Sequence, residues 1–356
     1  MAKRKSGLLF TRSFQRTLSA MTRATVRAST KAIAQTLRAK PAKRVRRPSS
    51  VAAPSGRSKP PATGGVASHE RAGVALTATG ARRYRLFKPA GVRRNEKLPL
   101  LVMLHGCGQD AQGLSTISRM NRIAERERFL VLYPEQDRVA NRLGCWNWYD
   151  TRTGRAQAEA DSIDATLSQV CLTQPVDPSR VALAGLSAGA GMAALLAMRH
   201  PQRFRAVAMH SGIAPGVAHS SASALSAMAG HRIKAAPVTP LASGTHLPAL
   251  LVIQGTTDHI VAPSNGSEAA RLWAQTEGAQ PGLPRTVQRG ARYAMNVTDY
   301  RTRGTLVATL CEVIGLGHAW SGGAAGPSYS DPKGPDASRM IWAFMSKQFK
   351  LSAGQE

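Results

Sequence analysis

The stretch VALAGLSAGAGMAALLA, residues 181–197, decides the fold. An apolar strand runs into a serine between two glycines, Gly185-Leu186-Ser187-Ala188-Gly189, and a helix of small residues follows. Such a tight strand-to-helix turn strains the backbone of its serine, and side chains at the two glycines would collide with neighbouring backbone. The pattern predicts that Ser187 is a nucleophile at the end of a buried strand. The alternative is an ordinary glycine-rich turn.

Apolar runs of strand length lie on both sides of this turn and alternate with longer helical stretches. The runs are RRYRLFKP, LPLLVMLHG, FLVLYPE, AVAMHSGI, ALLVIQGTTD and TLVATLCEVIGLGH. Several are continuous rather than alternating, as expected for strands that helices bury on both faces. The helix candidates are 115–128, 160–173, 188–199, 266–276 and 337–349. The alternation predicts an α/β protein with a mostly parallel central sheet flanked by helices.

The segment His105-Gly106-Cys107-Gly108-Gln109 follows the apolar strand LVML. In a fold with such a serine turn, the loop after this strand supplies one backbone N–H of the oxyanion hole, and the residue after the nucleophile supplies the other. We therefore expect the N–H groups of Cys107 and Ala188 to bind the oxyanion. A nucleophilic thiol at Cys107 is the alternative, but no serine-type turn surrounds it.

The remaining catalytic partners should follow the nucleophile in the order acid, then histidine. Asp258 comes just past the strand LLVIQG, and His318 lies in a glycine-rich turn after the last predicted strand. These positions predict a Ser187, Asp258, His318 triad. The competing acids are Asp299 and Glu312, within or beside the last strand. The competing bases are His105, which is expected to shape the oxyanion loop, His210, and His259 beside the acid.

Aromatic residues are scarce, at 5% of the chain, yet several lie close in sequence to these motifs. Trp146, Trp148 and Tyr149 share one loop, and Trp320 is two residues past the catalytic histidine. Trp146, Trp148 and Trp320 are candidate substrate-binding residues that could form an apolar wall for an acyl group. The alternative is that these rings pack beneath the loops of the site.

The N-terminal part differs sharply in charge from the rest. Residues 1–69 contain sixteen Lys and Arg and no Asp or Glu, in a chain of net charge +28. Residues 8–39 carry apolar side chains at helical spacing with arginines mostly off that stripe, and residues 40–68 are rich in Pro, Ser and Gly. We expect a disordered or partly helical basic extension over 1–69 and a catalytic domain over 70–356. An anionic or hydrophobic surface, such as a polymer granule or a membrane surface, is the expected partner; a solvated tail without a partner is the alternative.

Several other features limit the function classes. No apolar run of 18 residues suggests a membrane-spanning helix, and the first residues lack the apolar core of a secretory signal. Cys107, Cys145, Cys171 and Cys311 show no zinc-type spacing, and the sequence leaves open whether they form bridges or stay as buried thiols. The tail has only two aromatic residues, so specific nucleic-acid binding is not expected. The proposed chemistry needs no metal and no cofactor.

Five motifs in the same order resemble those of the polyhydroxybutyrate-depolymerase family of esterases. They are LHGCGQ at 104–109, GCWNWYD at 144–150, GLSAGAGMAALLA at 185–197, QGTTDHIVAPSNG at 254–266 and GLGHAWSGG at 315–323. The resemblance covers roughly residues 82–350. It implies an α/β-hydrolase fold, related to feruloyl and acetylxylan esterases, and hydrolysis of an ester or polyester, with a 3-hydroxybutyrate ester as the natural candidate.

The resemblance also leaves questions open. Related sequences often have CTQ where this chain has Cys107-Gly108-Gln109, and the segment 149–161 after CWNW is variable, so substrate fit can differ. It implies an extracellular location, whereas the missing signal makes a cytoplasmic, granule-associated enzyme the alternative. A feruloyl or acetylxylan esterase is the rival enzyme. A granule-coat or nucleic-acid-associated protein that works through its basic tail is the rival from another class.

Overall fold

The strands predicted from the apolar runs assemble into one large sheet. The computed structural model describes residues 69–93, 95–231 and 245–353. The main strands are β1 (His69–Thr77), β2 (Gly80–Lys88), β3 (Leu98–Leu104), β4 (Leu130–Pro134), β5 (Val176–Leu186), β6 (Ala206–His210), β7 (Ala249–Gly255), β8 (Gln280–Pro281), β9 (Arg285–Val287), β10 (Met295–Thr302) and β11 (Thr305–Val313). Two short strands, β12 (Trp320–Ser321) and β13 (Ser330–Asp331), pair separately.

The sheet order is β1-β2-β4-β3-β5-β6-β7-β11-β10-β8, with β9 paired to β10. The six central strands from β4 to β11 are parallel. Strands β1 and β2 at one side and β10, β8 and β9 at the other run antiparallel to their neighbours. The prediction of a mostly parallel central sheet is confirmed. The antiparallel strands β1 and β10 were absent from it.

Helices cover both faces of this sheet. They are α1 (Ala111–Ser118), α2 (Met120–Glu127), α3 (Arg155–Thr173), α4 (Ala188–Arg199), α5 (Ser221–Met228), α6 (Ser264–Thr276) and α7 (Ala337–Ala353). Helices α1, α2 and α7 share one apolar core with the sheet, to which Met103, Ile123 and Met345 belong. Helices α3 and α4 pack on the other face. Every residue of β3 is therefore buried, as its unbroken apolar sequence predicted.

The predicted helices all exist; 188–199 has the predicted ends, and the others differ at one or both ends. The candidate 115–128 is two helices, because Arg119 adopts a left-handed backbone conformation (φ 53°) between them. Helix α5 was not predicted. Its N-terminus is fixed by Ser220 and Ser223, whose side chains each accept a hydrogen bond from the other's backbone N–H.

The basic extension predicted over residues 1–69 lies outside the described residues, except for His69, which begins β1. The domain boundary therefore stays a prediction. Within residues 69–353, apart from the two gaps, no helix has the length and apolar character needed to cross a membrane.

Candidate active site

Ser187 occupies a sharply bent turn between β5 and α4. Its backbone has φ 55° and ψ −119°, a conformation that side-chain-bearing residues rarely adopt. A Cβ atom at Gly185 would lie 2.2 Å from the carbonyl oxygen of Gly189, and one at Gly189 would lie 2.1 Å from that of Leu104. Both glycines are therefore required by close backbone contacts. The strain that the sequence motif predicted is present at the serine itself.

The predicted oxyanion donors lie on either side of this turn. In the loop that follows β3, the N–H of Gly106 donates a hydrogen bond to the side chain of Gln109, whose own N–H donates to the carbonyl of Gly106. The N–H of Gly108 donates to the carbonyl of Leu143. In contrast, the N–H of Cys107 has no acceptor within the part of the chain that the structure describes. The N–H of Ala188 is in the first turn of α4, where no intrahelical acceptor exists. Both donors are free for a substrate oxygen.

The loop that carries Cys107 is joined covalently to the aromatic loop. Cys107 and Cys145 form a disulfide, which the sequence had left open, while Cys171 and Cys311 are free. The oxyanion residue is therefore tied to the first residue of the CWNW segment. A thiol nucleophile at position 107 does not fit this bond, because the sulfur is already in the disulfide.

Buried polar groups reinforce the same connection. The carbonyl of His105 accepts a hydrogen bond from the indole N–H of Trp146 (3.0 Å), and its ring Nε2 accepts one from the backbone of Gln136 (3.1 Å). Burial lowers the pKa of His105 to about 4, so its ring is neutral at pH 7. The carboxylate of buried Glu159 accepts hydrogen bonds from Gln136 and from the backbone and side chain of Asn147. Sequence reasoning missed Glu159, since nothing in a helical Ala-Glu-Ala segment marks a buried acceptor.

Asp258 and His318 meet as the motif order predicted. Nδ1 of His318 lies 2.8 Å from Oδ2 of Asp258, whose side chain is fully buried. The other carboxylate oxygen accepts hydrogen bonds from the N–H groups of Ile260 (2.9 Å) and Val261 (2.8 Å). Burial alone would raise the pKa of Asp258, but the hydrogen bond from His318 and those from the backbone outweigh it and hold the pKa below its ordinary value. The acid is ionised and its orientation is fixed.

The competing residues lie elsewhere or are already engaged. Asp299 is in the middle of β10, where it pairs with Arg285 (3.1 Å) and accepts from Thr309 (2.8 Å). Glu312 is on β11, within 3.5 Å of Ser267. His259 is exposed. None of these three forms a hydrogen bond or an ion pair with His318 in the part of the chain that the structure describes.

His210 links the nucleophile to the histidine loop, a role that the sequence did not indicate. Its carbonyl accepts a hydrogen bond from the N–H of Ser187 (2.8 Å), and its ring Nε2 accepts one from the N–H of Ser321 (3.1 Å). The ring also stacks on Trp320, with centroids 5.2 Å apart. Burial, assisted by the charge of His318, lowers the pKa of His210 to about 3. The neutral ring can therefore accept from Ser321 throughout the ordinary pH range.

The three tryptophans proposed for substrate contact lie in different surroundings. Trp146 and Trp320 have no exposed surface, and the indole of Trp320 donates to Ser338 (3.1 Å). Burial therefore argues against substrate contact by these two rings, and both support the site from beneath. Trp148 keeps 7% of its surface exposed and lies against Gly191 of α4. Tyr329, half-buried and edge-on to the His318 ring at 6.2 Å, is a neighbour that sequence reasoning missed.

Strand topology brings the three predicted triad residues to one edge of the sheet. Ser187 follows β5, Asp258 follows β7 and His318 follows β11, and these parallel strands lie within four neighbouring positions. The carboxyl ends of such strands form the usual ligand-binding edge of an open α/β sheet. The arrangement has the parts for acyl transfer: a strained serine, an oriented imidazole and two free N–H donors.

Sequence comparison finds relatives whose own length this chain covers only in part. The sequence model of a family described as Esterase PHB depolymerase matches residues 82–280, more than half of the chain. Poly(3-hydroxyalkanoate) depolymerase C of Paucimonas lemoignei is 29% identical over 259 residues, which cover 67% of this chain and 59% of that protein. Feruloyl esterase B of Neurospora crassa is 26% identical, covering 52% and 67%. A probable acetylxylan esterase A of Neosartorya fischeri is 26% identical, covering 53% and 54%.

Solved structures show the same fold. An acetyl xylan esterase from Aspergillus awamori superimposes with a TM-score of 0.50 at 20% identity, covering 67% of this chain and 89% of that one. An esterase from Pyrobaculum calidifontis gives 0.51 at 15% identity, covering 80% and 85%. Together with the sheet order, these likenesses confirm the predicted α/β-hydrolase fold.

Proposed function

Because this chain belongs to the Esterase PHB depolymerase family, we propose that it is a serine esterase that hydrolyses short-chain acyl or 3-hydroxyacyl esters. The observation that carries the proposal is the 2.8 Å hydrogen bond between His318 and the buried carboxylate of Asp258, at the sheet edge where Ser187 adopts its strained turn. Poly(3-hydroxybutyrate) or its oligomers are the proposed substrate.

The reaction proceeds by two acyl transfers. Nε2 of His318 takes the proton of Ser187 as the serine oxygen attacks the ester carbonyl. Asp258 holds the Nδ1–H tautomer and stabilises the imidazolium that forms. The N–H groups of Cys107 and Ala188 bind the oxyanion, and His318 returns the proton to the leaving alcohol. Water, deprotonated by the same imidazole, then attacks the acyl-enzyme; the acid leaves as the bond to the serine oxygen breaks, and His318 returns the proton to Ser187.

The short-chain preference rests on what surrounds the nucleophile. Trp148 and Tyr329 are the aromatic side chains with exposed surface beside α4 and His318. They suit a compact acyl group, and each methylene that fits adds only about 0.8 kcal/mol of binding until the space is full. Longer chains gain nothing further.

Replacement of the nucleophile tests the chemistry. Ser187→Ala should lower kcat for p-nitrophenyl butyrate by at least about 10,000-fold with an unchanged circular dichroism spectrum. Ser179→Ala serves as the control and should keep the parent rate, because Ser179 is exposed on β5, the strand that leads into the turn. Activity retained in Ser187→Ala would overturn the proposal.

A substrate series tests the specificity. In a series of esters from acetate to palmitate, we expect kcat/KM to be highest for the short acyl chains. In a second assay, the enzyme should release 3-hydroxybutyrate from amorphous polymer. A peak at about ten carbons or more would contradict the compact site, since each bound methylene would then still add affinity.

The second candidate is a feruloyl or acetylxylan esterase, which the likeness to proteins with these names favours. Hydrolysis of methyl ferulate or acetylated xylan without any release from polymer would support it over the polyester.

The basic extension is proposed to attach the enzyme to an anionic or hydrophobic surface. Sixteen positive charges without a negative one favour such a surface, and salt should weaken the attachment by screening. A protein that starts near residue 69 should hydrolyse soluble esters at the full rate but bind a polymer or anionic surface less tightly at low salt. Equal surface binding by both forms would leave the extension without this role.

A further inference from the structure

A large groove lies on the sheet face that carries α2 and α7, away from the triad. Its volume is about 1310 Å³, above the range of roughly 300–1,000 Å³ typical of small-molecule sites. It is bounded by α2, by the segment from β9 to β11 and by α7. No residue of the triad or of the oxyanion hole lines it. We call it the basic groove.

The charge of the basic groove is strongly one-sided. Nine arginine and lysine side chains line it against three carboxylates, an excess of nine minus three, or six, positive charges. They come from three separate parts of the chain: Arg119 and α2, the β9–β10 segment, and α7. Cations that converge from three segments repel one another, so the arrangement favours an anion between them.

The three carboxylates neutralise only part of this set. Each carboxylate forms an ion pair with a neighbouring arginine of the groove. The pairs are Glu127 with Arg126, Asp299 with Arg285 and Arg301, and Asp336 with Arg339. Arg122, Arg289 and Lys347 are exposed, and their side chains have no hydrogen bond or carboxylate partner among the residues that the structure describes. These three cations are available to a ligand.

The floor of the basic groove is apolar rather than polar. Leu306, Met340 and Phe344 are only partly buried there, and Tyr293 and Met295 lie beside them. Apolar surface next to unpaired cations fits a molecule that has both an acidic group and a hydrocarbon part.

The positive charge of the groove excludes two occupants that the protein itself could supply, its N-terminal extension and a second copy of the chain. The N-terminal extension has sixteen bases and no acid before Glu70, and a second copy would bring the same excess of cations. A neutral polyester would leave the cations unpaired. We propose that the basic groove binds an anionic amphiphile, an acyl chain with a phosphate or carboxylate head, at a site separate from the catalytic one.

The test uses the full chain and dodecyl phosphate below its micelle concentration, with binding measured by calorimetry. The variant Arg122→Gln, Arg289→Gln, Lys347→Gln should bind at least about tenfold more weakly, the factor that three modest charge pairs give together. The matched control removes the same charge elsewhere, with Arg71→Gln, Arg138→Gln and Arg152→Gln at exposed positions outside the groove. The control should change the affinity less than about twofold, because it leaves the local pairs intact. Both variants should hydrolyse p-nitrophenyl butyrate at the parent rate.

Three ligands separate the alternatives. Dodecyl maltoside should bind weakly, and inorganic phosphate should bind more weakly than dodecyl phosphate, because each lacks one half of the recognised chemistry. Equal loss of affinity in the two triple variants would mean that only the overall charge attracts the probe. An unchanged affinity in the groove variant would place the probe at the catalytic site or on the extension. Tighter binding of a single-stranded oligonucleotide through the same three residues would identify a polyanion site. Each of the last three results would overturn the proposal, whereas weak binding of the maltoside and of phosphate would support it.

Discussion

The loop after β3 and the loop after β11 flank the same serine, but they are held in different ways. The first contains Cys107 and is fixed by a disulfide and by the indole N–H of Trp146, which donates a hydrogen bond to the backbone of this loop. The second contains His318 and is held without a covalent link, by hydrogen bonds to Asp258 and to the ring of His210 and by the buried ring of Trp320. The glycines around His318 add no side-chain packing.

This difference matches the tasks of the two loops. Oxyanion donors work only if they are in place before charge develops on the substrate, so a rigid connection suits them. The imidazole must serve first the serine and then the leaving group, so its orientation depends on hydrogen bonds that persist in both steps. Removal of the fixing groups on each side should therefore have different consequences.

The largest effect is expected on the histidine side. Asp258→Asn should lower kcat about 10,000-fold, because the amide favours the wrong tautomer of His318. Asp299→Asn is the control, since that carboxylate pairs with Arg285 at the antiparallel edge of the sheet; it should change kcat less than about twofold. Steady-state kinetics with a soluble ester measures both. The opposite ranking would transfer the role of the acid to Asp299.

A smaller effect is expected on the oxyanion side. The double variant Cys107→Ser, Cys145→Ser keeps both N–H donors but frees their loop, so kcat should fall about tenfold, less than the 100- to 1,000-fold cost of a lost donor. The free energy of unfolding should fall by about 3–4 kcal/mol, because the disulfide closes a loop with a sequence separation of 38. Cys171→Ser, at a free cysteine, is the control. If kcat is unchanged while stability falls, the disulfide only stabilises the fold.

His210 provides a finer test of the hydrogen-bonded loop. His210→Phe keeps a ring against Trp320 but leaves the buried N–H of Ser321 without an acceptor, at a cost of about 1–3 kcal/mol in stability. We expect kcat to fall severalfold with little change in KM, since the substrate is not contacted. His210→Gln restores an acceptor and should recover part of kcat. Equal kcat in both variants and the parent would limit His210 to a packing role.

Local sequence patterns predicted the nucleophile turn, the order of acid and histidine, and the central strands. The turn has a local cause, because a side chain at Gly185 would collide with the backbone of Gly189, four residues later. The antiparallel strand β10 was missed because only two of its eight residues are buried and two of the others, Asp299 and Arg301, are charged.

Long-range polar contacts were beyond the sequence. Glu159 reaches Asn147 across a loop, and His210 reaches Ser321 over 111 positions. A buried acceptor and an exposed one have the same residue type, so only the fold separates them. The tryptophans illustrate the same limit, because proximity in sequence to a catalytic motif does not decide whether a ring faces the substrate or packs beneath it.

The smallest effect is expected in how the free energy of unfolding depends on pH. This dependence compares the oxyanion side with the histidine side directly, since each contains one buried neutral imidazole. Burial lowers the pKa of His105 to about 4 and that of His210 to about 3, below the value near 6.5 of an unfolded histidine. Between pH 6.5 and about 4 the unfolded chain therefore binds protons that the folded chain does not. The free energy of unfolding should fall on acidification by up to about 1.4 kcal/mol per pH unit for each ring. Asp258 adds its own loss only at lower pH, because its pKa in the folded protein is depressed.

Urea unfolding at pH 6.5 and 5.5 measures this difference. His105→Gln on the oxyanion side and His210→Gln on the histidine side should each flatten the pH dependence by most of one proton, whereas His259→Gln, which removes an exposed imidazole, should leave it unchanged. Equal flattening by the first two variants would mean that both loops depend on a buried neutral ring, although only one of them has a disulfide. If only His210→Gln flattens the pH dependence, the loop with the disulfide opens enough to hydrate His105 in spite of that bond. An unchanged slope in both variants would contradict the burial of these rings as the source of acid sensitivity.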